Sequence, residues 1–189
     1  QLWRGDVVNL QSFAADFVET VVARYVGRIR HWEIVCGGNC GGTAGLTEEQ
    51  RLNLVMRTVE AARQVDEQIQ ISLRIIQPWG EYLNNSSNRL APIQFIDTLR
   101  RTGVRIAEVN LDIRFGVGDH RSLPRDLLGL SQLLDHWSLL QLPLNVVLSL
   151  PELFPEAEKH TPQLDTMQAQ WLRQSMLMCL AKERVSGIY

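Results

Sequence analysis

Residues 25–39 read YVGRIRHWEIVCGGN, and this stretch decides how the chain folds. A helical pattern of apolar residues leads into it, and Gly27 predicts where that helix ends. The Trp-led apolar run from His31 to Val35 then indicates a buried strand. A helix followed directly by a buried strand is typical of α/β folds. We therefore expect the residues just after Val35 to lie at a strand end, where they face a pocket.

The same alternation of helix and strand repeats five times along the chain. The predicted strands are 31–35, 69–76, 105–115, 144–150 and 185–189. The helix before the first strand is expected to bury the stripe Phe13, Phe17, Val18, Val21, Val22 and Tyr25. A capping box, Thr47 to Gln50, predicts the start of the second helix. The third is predicted at 91–102, the fourth opens at Pro124, and the fifth opens at Thr161-Pro162.

One helix per strand predicts parallel strands joined by right-handed crossovers. Such strands form either a doubly wound sheet or a (β/α)8 barrel, and the periodicity alone leaves both open. A doubly wound enzyme would need a ligand crevice where the strand order reverses, and the sequence carries no nucleotide-binding fingerprint to support one.

Composition places the chain in the ordinary globular class. It has 189 residues, of which 45% are hydrophobic and 21% are charged, and its formal net charge is -2. Neither nucleic acid nor an anionic membrane surface is therefore an expected partner. The apolar runs are too short to cross a membrane. Cys36 and Cys40, with His31 nearby, lack the second ligand pair of a structural zinc site, so neither a metal nor another cofactor is expected. The cellular compartment stays open.

Five segments, taken together, resemble glycoside hydrolase family 10, the endo-xylanases. Residues 25–39 resemble the family segment rYkGkI..WDVVNE, and residues 75–82, IIQPWGEY, resemble its fifth strand and following loop. Residues 109–114, VNLDIR, resemble iGlQgH, and residues 142–150, LPLNVVLSL, resemble lg.Pi.iTEl. Residues 168–189 resemble the closing helix and strand, QA..y......C......V.Git.

This resemblance implies a parallel (β/α)8 barrel of the TIM type. The chain would cover it incompletely, from about the third helix to the eighth strand, so residues 1–189 would be a single barrel segment without the first three strands. The strands at 31–35 and 185–189 would then have unpaired edges, which is a hazard for an isolated segment. We expect an N-terminal part of the protein, or another chain, to supply the remaining strands.

The resemblance also locates two catalytic positions. A retaining glycosidase needs one carboxylate as nucleophile and another as acid/base. Gly37 stands at the acid/base position and Ser149 at the nucleophile position, so the usual mechanism is not expected. Glu81, just past a strand end, is the best candidate for a substitute acid, and the competing interpretation is a solvated loop carboxylate.

Other polar residues on the strands are candidates for substrate binding. Gln77, Asn110, Asn145 and Asn39 could bond sugar hydroxyls, and Trp79 and Tyr82 could stack on a pyranose. Asp112 is a further candidate, although an ion pair with Arg114 is the favoured account of it. Glu33 is expected to bond a neighbouring strand. The implied partner is a β-linked polysaccharide such as xylan, and the alternative is a non-catalytic scaffold with no sugar role.

Overall fold

A computed structural model describes residues 6–40, 45–85, 88–116, 120–150 and 162–189. Its strands are β1 His31–Cys36, β2 Gln70–Ile76, β3 Glu108–Arg114, β4 Leu144–Ser149 and β5 Val185–Ile188. They form one parallel sheet in the order β1-β2-β3-β4-β5. The parallel pairing confirms the prediction. The sequential order excludes the doubly wound alternative, whose strand order reverses at a switch point.

The helices connect the strands as the periodicity predicts. They are α1 Val7–Arg24, α2 Glu48–Val65, α3 Pro92–Arg101, α4 Leu127–Ser138 and α5 Pro162–Leu180, with a 3-10 helix at Glu81–Asn85. The predicted capping box is confirmed, because the Gln50 amide donates to Thr47 Oγ1 and the Thr47 amide donates to Gln50 Oε1. The fourth helix begins at Leu127 rather than at Pro124, because the Asp126 side chain caps it by accepting from the Gly129 amide at 2.8 Å.

The two faces of the sheet differ in chemistry. On one face, apolar side chains pack against the helices and form the core; the largest fully buried ones are Ile71, Leu73, Ile75, Leu111, Ile113, Phe95, Leu99, Leu134 and Trp137. The alternate residues of the strands turn to the other face and are polar. That polar face, which we call the inner face, carries Ser72, Arg74, Asn110, Asp112 and Asn145.

The first helix does not bury the stripe that its sequence predicts. Val22 is buried and Val18 packs against the core, but Phe13 and Phe17 are 54% and 59% exposed. Their rings stack on each other with centroids 6.4 Å apart. The helix α2 packs against one side of α1, and the two phenylalanines stay largely exposed. The helical period predicts an apolar stripe and cannot say which part of it meets a neighbour.

Exposed apolar side chains concentrate at the two ends of the sheet. Those on or next to α1 are Val8, Phe13, Phe17, Val26 and Ile29, and those on α5 and after β5 are Met167, Met176, Leu177, Leu180 and Tyr189. Within the described residues, β1 and β5 each pair with a strand on one side only. No helix within those residues has the length and apolar character that a membrane crossing requires.

Candidate functional site

The carboxyl ends of the parallel strands are where barrels of this kind place their active sites. A cavity of about 730 Å³ lies elsewhere. It is lined by Met56, Arg63, Glu67, Val104 and Arg105, from the carboxyl halves of α2 and α3 and the turns that lead into β2 and β3. These residues precede the strands, so we place the candidate site at the opposite end, on the inner face.

A chain of hydrogen bonds runs across the inner face from β5 to β1. The Ser186 hydroxyl donates to Asn145 Oδ1 at 3.2 Å, and Asn145 Nδ2 donates to Asn110 Oδ1 at 2.9 Å. Asn110 Nδ2 then donates to Glu33 Oε2 at 2.6 Å and to the Ser72 hydroxyl. Parallel register places Asn110 directly beside Asn145. Glu33 therefore bonds neighbouring strands, as predicted, and the two asparagines already use their amides within the sheet.

Two carboxylates and two guanidinium groups form a charge cluster beside this chain. Arg74 Nε lies 2.8 Å from Glu33 Oε1, and Arg74 Nη1 lies 3.5 Å from Asp112 Oδ2. Arg114 Nη2 lies 2.7 Å from Asp112 Oδ2, and Arg114 Nε donates to both Asp112 oxygens. The Asp112–Arg114 ion pair predicted from the sequence is therefore present. The Asp112 side chain is 0% exposed, so it depends on both guanidinium groups.

The ionisation of this cluster follows from its contacts. The hydrogen bond and the negative charge of Asp112 raise the pKa of Arg114. Burial opposes the charge on Arg74, but the bond to Glu33 and the two carboxylate charges outweigh it and raise the pKa of Arg74. Burial raises the pKa of the Cys36 thiol. The cluster thus pairs two guanidinium groups with two carboxylates, and Cys36 adds no charge while its thiol is protonated.

Gly37 follows β1 directly and leaves no room for a side chain. Its φ is 68°, and a Cβ built there would lie 2.5 Å from Ile76 Cδ1. The preceding residues explain this geometry, because β1 contains a bulge between Glu33 and Cys36 in which Val35 has a φ of 56°. A β-branched residue in that region is strained. The positive φ at position 37 favours glycine, and a carboxylate placed there would strain the backbone and displace the Ile76 side chain.

This geometry predicts that Gly37→Ala is more harmful than the same change at Gly27. Both residues have positive φ, but a Cβ at Gly27 meets nothing within 4 Å. Gly27→Ala should cost about 1 kcal/mol from backbone strain alone, and Gly37→Ala should cost about 2 kcal/mol because the Ile76 clash is added. Urea unfolding of the two variants measures the difference. Equal losses would mean that Ile76 moves aside freely.

Ser149 ends β4 beside Arg114 of β3. Its carbonyl accepts from the Phe115 amide at 2.9 Å. Gly37 and Ser149 thus lie at the carboxyl ends of strands that are separated by two others. Neither position carries a group that can transfer a proton or attack an acetal unaided.

Glu81 lies in the 3-10 helix beyond β2, and its surroundings are unusual. Both carboxylate oxygens are buried, and neither has a hydrogen-bond partner in the structure as described. It lies near the Cys40 thiol, whose pKa is raised to about 12 by burial and further by the Glu81 charge. Glu81 is thus not the solvated carboxylate of the competing interpretation. Its part as a substitute acid stays a prediction.

Asn39 and Tyr82, two of the predicted binding residues, use their polar groups in contacts within the protein. The Asn39 side chain is 1% exposed and bonds both backbone groups of Ile76, at 2.7 and 3.2 Å. The Tyr82 hydroxyl donates to the Leu90 carbonyl at 2.8 Å. The polar groups of Asn39 and Tyr82 thus hold loops in place, and the part of either residue in sugar binding stays a prediction.

Gln77 and Trp79 are likewise engaged near the end of β2. Gln77 Nε2 donates to the Arg121 carbonyl at 2.7 Å, which ties this strand end to the loop after β3. The Trp79 ring lies 6.2 Å from that of Phe115, and the Arg125 guanidinium lies 5.9 Å from its centre. Stacking of a sugar on Trp79 would therefore compete with Arg125.

Sequence reasoning did not select Arg74 or Arg121 as site residues. Alternation along β2 could have found Arg74, because it lies two residues from both Ser72 and Ile76 and so shares their face. Arg121 gave no signal, since its place depends on how the loop folds back on β3, where its Nη1 donates to the Phe115 carbonyl at 3.2 Å. Among the described residues, no group of three or more metal-ligating side chains occurs.

The fold is shared with xylanases of glycoside hydrolase family 10. A GH10 endoxylanase from a sugarcane soil metagenome aligns with a TM-score of 0.72 at 14% identity, over 95% of this chain and 55% of that one. Native xylanase 10B from Thermotoga maritima aligns with a TM-score of 0.66 at 15% identity, over 95% and 53%. Xylanase 10B from Thermotoga petrophila, solved with xylobiose, aligns with a TM-score of 0.63 at 14% identity, over 92% and 51%.

These matches confirm the predicted fold, a parallel (β/α) barrel of which the chain forms part. The chain spans about half the length of the xylanases it matches. No protein-family model matches the sequence, and no curated protein matches it either. At such low identity the likeness establishes the fold alone.

Proposed function

We propose that this chain is part of a GH10-like barrel that binds a β-linked oligosaccharide without hydrolysing it. The observation that carries the proposal is the neutralised charge cluster at the strand ends. The two inner-face carboxylates, Glu33 and Asp112, are both held by guanidinium groups. A retaining mechanism needs one carboxylate free to attack and another free to exchange a proton.

The strand-end positions support the same proposal. The resemblance assigns the acid/base to position 37 and the nucleophile to position 149. Gly37 cannot transfer a proton, and Ser149 cannot attack an acetal unaided. Val35 and Gly37 both have positive φ, so a whole strand end departs from regular geometry rather than one side chain. We infer that the site has been reshaped beyond the loss of two carboxylates.

A ligand can still be held by such a surface. The cluster offers guanidinium donors and carboxylate acceptors that match sugar hydroxyls. Arg114, Arg74 and Glu33 keep 44%, 25% and 30% of their side-chain surface exposed. The xylanase from Thermotoga petrophila was solved with xylobiose. A β-1,4-linked xylo-oligosaccharide is therefore the first ligand to test.

The proposal also requires the rest of a barrel. Five strands are present in the sheet, and a barrel of this type has eight. Two copies joined edge to edge would bring ten strands, which is too many for that barrel. Three further strand-and-helix units, which would also cover the apolar side chains on α1 and α5, complete it best.

Calorimetric titration of the complete protein tests the proposal. Xylohexaose should bind with a micromolar to millimolar Kd, and the α-linked maltohexaose, as matched control, should not bind. Failure of both sugars to bind would contradict a sugar role and favour the alternative, a non-catalytic scaffold. If hydrolysis is found, Glu81→Gln identifies its acid: loss of turnover would assign the proton transfer to Glu81, and unchanged turnover would discard that assignment.

A further inference from the structure

We propose that the site prefers an acidic sugar, and that Arg114 receives the carboxylate of that sugar. This inference rests on the proposed function, since it names the class of oligosaccharide that the same site would bind. The inference is based on a difference in solvent exposure. The cluster contains equal numbers of positive and negative groups, but the group that is exposed at the end of β3 is positive.

Arg114 presents a free donor to the site. It is the last residue of β3 and lies in register with Ser149. Its Nε and Nη2 atoms bind Asp112, whereas its Nη1 atom has no hydrogen-bond partner within the described residues. Its side chain is 44% exposed and that of Asp112 is 0% exposed. A ligand would therefore meet the guanidinium group and not the carboxylate behind it.

The surroundings add more positive than negative charge. Arg74 carries the second guanidinium group of the cluster, and Arg121 brings a third to the end of β3, where it bonds the Phe115 carbonyl. Arg121 forms no ion pair with any described carboxylate. The opposing carboxylates are Glu33, which Arg74 holds, and the buried Asp112. Cys36 adds no negative charge while its thiol is protonated.

Among the described residues, Glu81 is a further carboxylate near these strand ends. Its oxygens are buried and lie near Cys40 rather than in the cluster. It therefore does little to offset the charge that solvent meets at Arg114. Within the described residues, the cluster on the inner face holds two guanidinium groups and two carboxylates, and Arg121 lies in the loop beyond β3.

A sugar carboxylate fits this arrangement chemically. It can accept a charge-assisted hydrogen bond from Arg114 Nη1, and the Ser149 hydroxyl in the neighbouring strand is a second donor. Positive charge at this place also opposes the cationic, oxocarbenium-like transition state of glycoside hydrolysis. The same feature therefore favours an anionic ligand and disfavours the reaction.

The sharpest test changes the ligand and leaves the protein intact. The two probes are a xylo-oligosaccharide with one glucuronic acid branch and its methyl ester, which has nearly the same shape without the charge. Calorimetric titration of the complete protein should give the acid an affinity about tenfold higher, the effect of one charge-assisted hydrogen bond. The advantage should shrink as salt is raised, because salt screens exposed charges.

Equal affinities for acid and ester would overturn the inference while leaving the proposed function intact. Binding of neither probe would overturn both. The double variant Arg114→Gln, Asp112→Asn replaces the ion pair by a neutral pair that can still hydrogen-bond. It should lose the preference, so that it binds acid and ester with similar affinity, and circular dichroism reports whether the fold is retained. Arg57→Gln, on the exposed side of α2, is the matched control and should keep the preference.

Discussion

Asp112→Asn is expected to lower the free energy of unfolding by about 3 kcal/mol, the low end of the cost of breaking a buried ion pair. The change keeps the shape of the side chain and removes only its charge. Arg74 and Arg114 would then face each other across a neutral amide, and because position 112 is 0% exposed, water reaches only the outer sides of the two guanidinium groups. Urea unfolding of the variant and the parent protein measures the loss.

Asp97→Asn is the matched control. Asp97 Oδ2 lies 2.7 Å from Arg101 Nε, one helical turn away on α3, and the two side chains are 42% and 80% exposed. An exposed pair of this kind contributes about 0.5 kcal/mol or less. A loss at Asp112 as small as that at Asp97 would mean that the cluster does not depend on its buried carboxylate.

Arg51→Met is expected to cost about 3 kcal/mol, because it leaves several buried acceptors without donors. Arg51 is 3% exposed. Its Nε donates to the Gly38 carbonyl at 2.8 Å and its Nη1 to the Leu46 carbonyl at 2.8 Å. Its Nη2 reaches the Asn88 side chain at 2.8 Å. One side chain thus holds both ends of the connection between β1 and α2, and with it the turn that contains Gly37.

Arg57→Met, on the exposed side of the same helix, is the control for Arg51→Met. It should change the free energy of unfolding by no more than about 0.5 kcal/mol, as surface substitutions usually do. Thermal unfolding followed by circular dichroism compares the two. Similar midpoints for both variants would show that the connection between β1 and α2 keeps its shape without Arg51.

Local sequence patterns predicted the features that depend on local chemistry. The four residues of the capping box, Thr47 to Gln50, determine where α2 begins. The alternation of side chains along β3 puts Asp112 and Arg114 on one face. Both were confirmed. The resemblance of five short segments gave the barrel architecture, which helix and strand periods alone left open.

Features that depend on distant parts of the chain could not be predicted in this way. Phe13 and Phe17 follow the helical period, but their exposure depends on which elements lie beside α1. Asn39 was expected to face a cavity, yet it bonds the backbone of Ile76, which lies 37 residues away. The Ile76 side chain that crowds Gly37 comes from a different strand as well. Burial and partners at such positions are set by the tertiary fold.

The most direct test of the central claim uses the complete protein at a concentration equal to that of xylohexaose. Mass spectrometry of the sugar after prolonged incubation would detect a single cleavage event per site. Binding without hydrolysis predicts that xylohexaose stays at its full mass while it is held by the protein. Shorter xylo-oligosaccharides that are absent from a sample without the protein would contradict the account, because they would require a working pair of carboxylates at these strand ends.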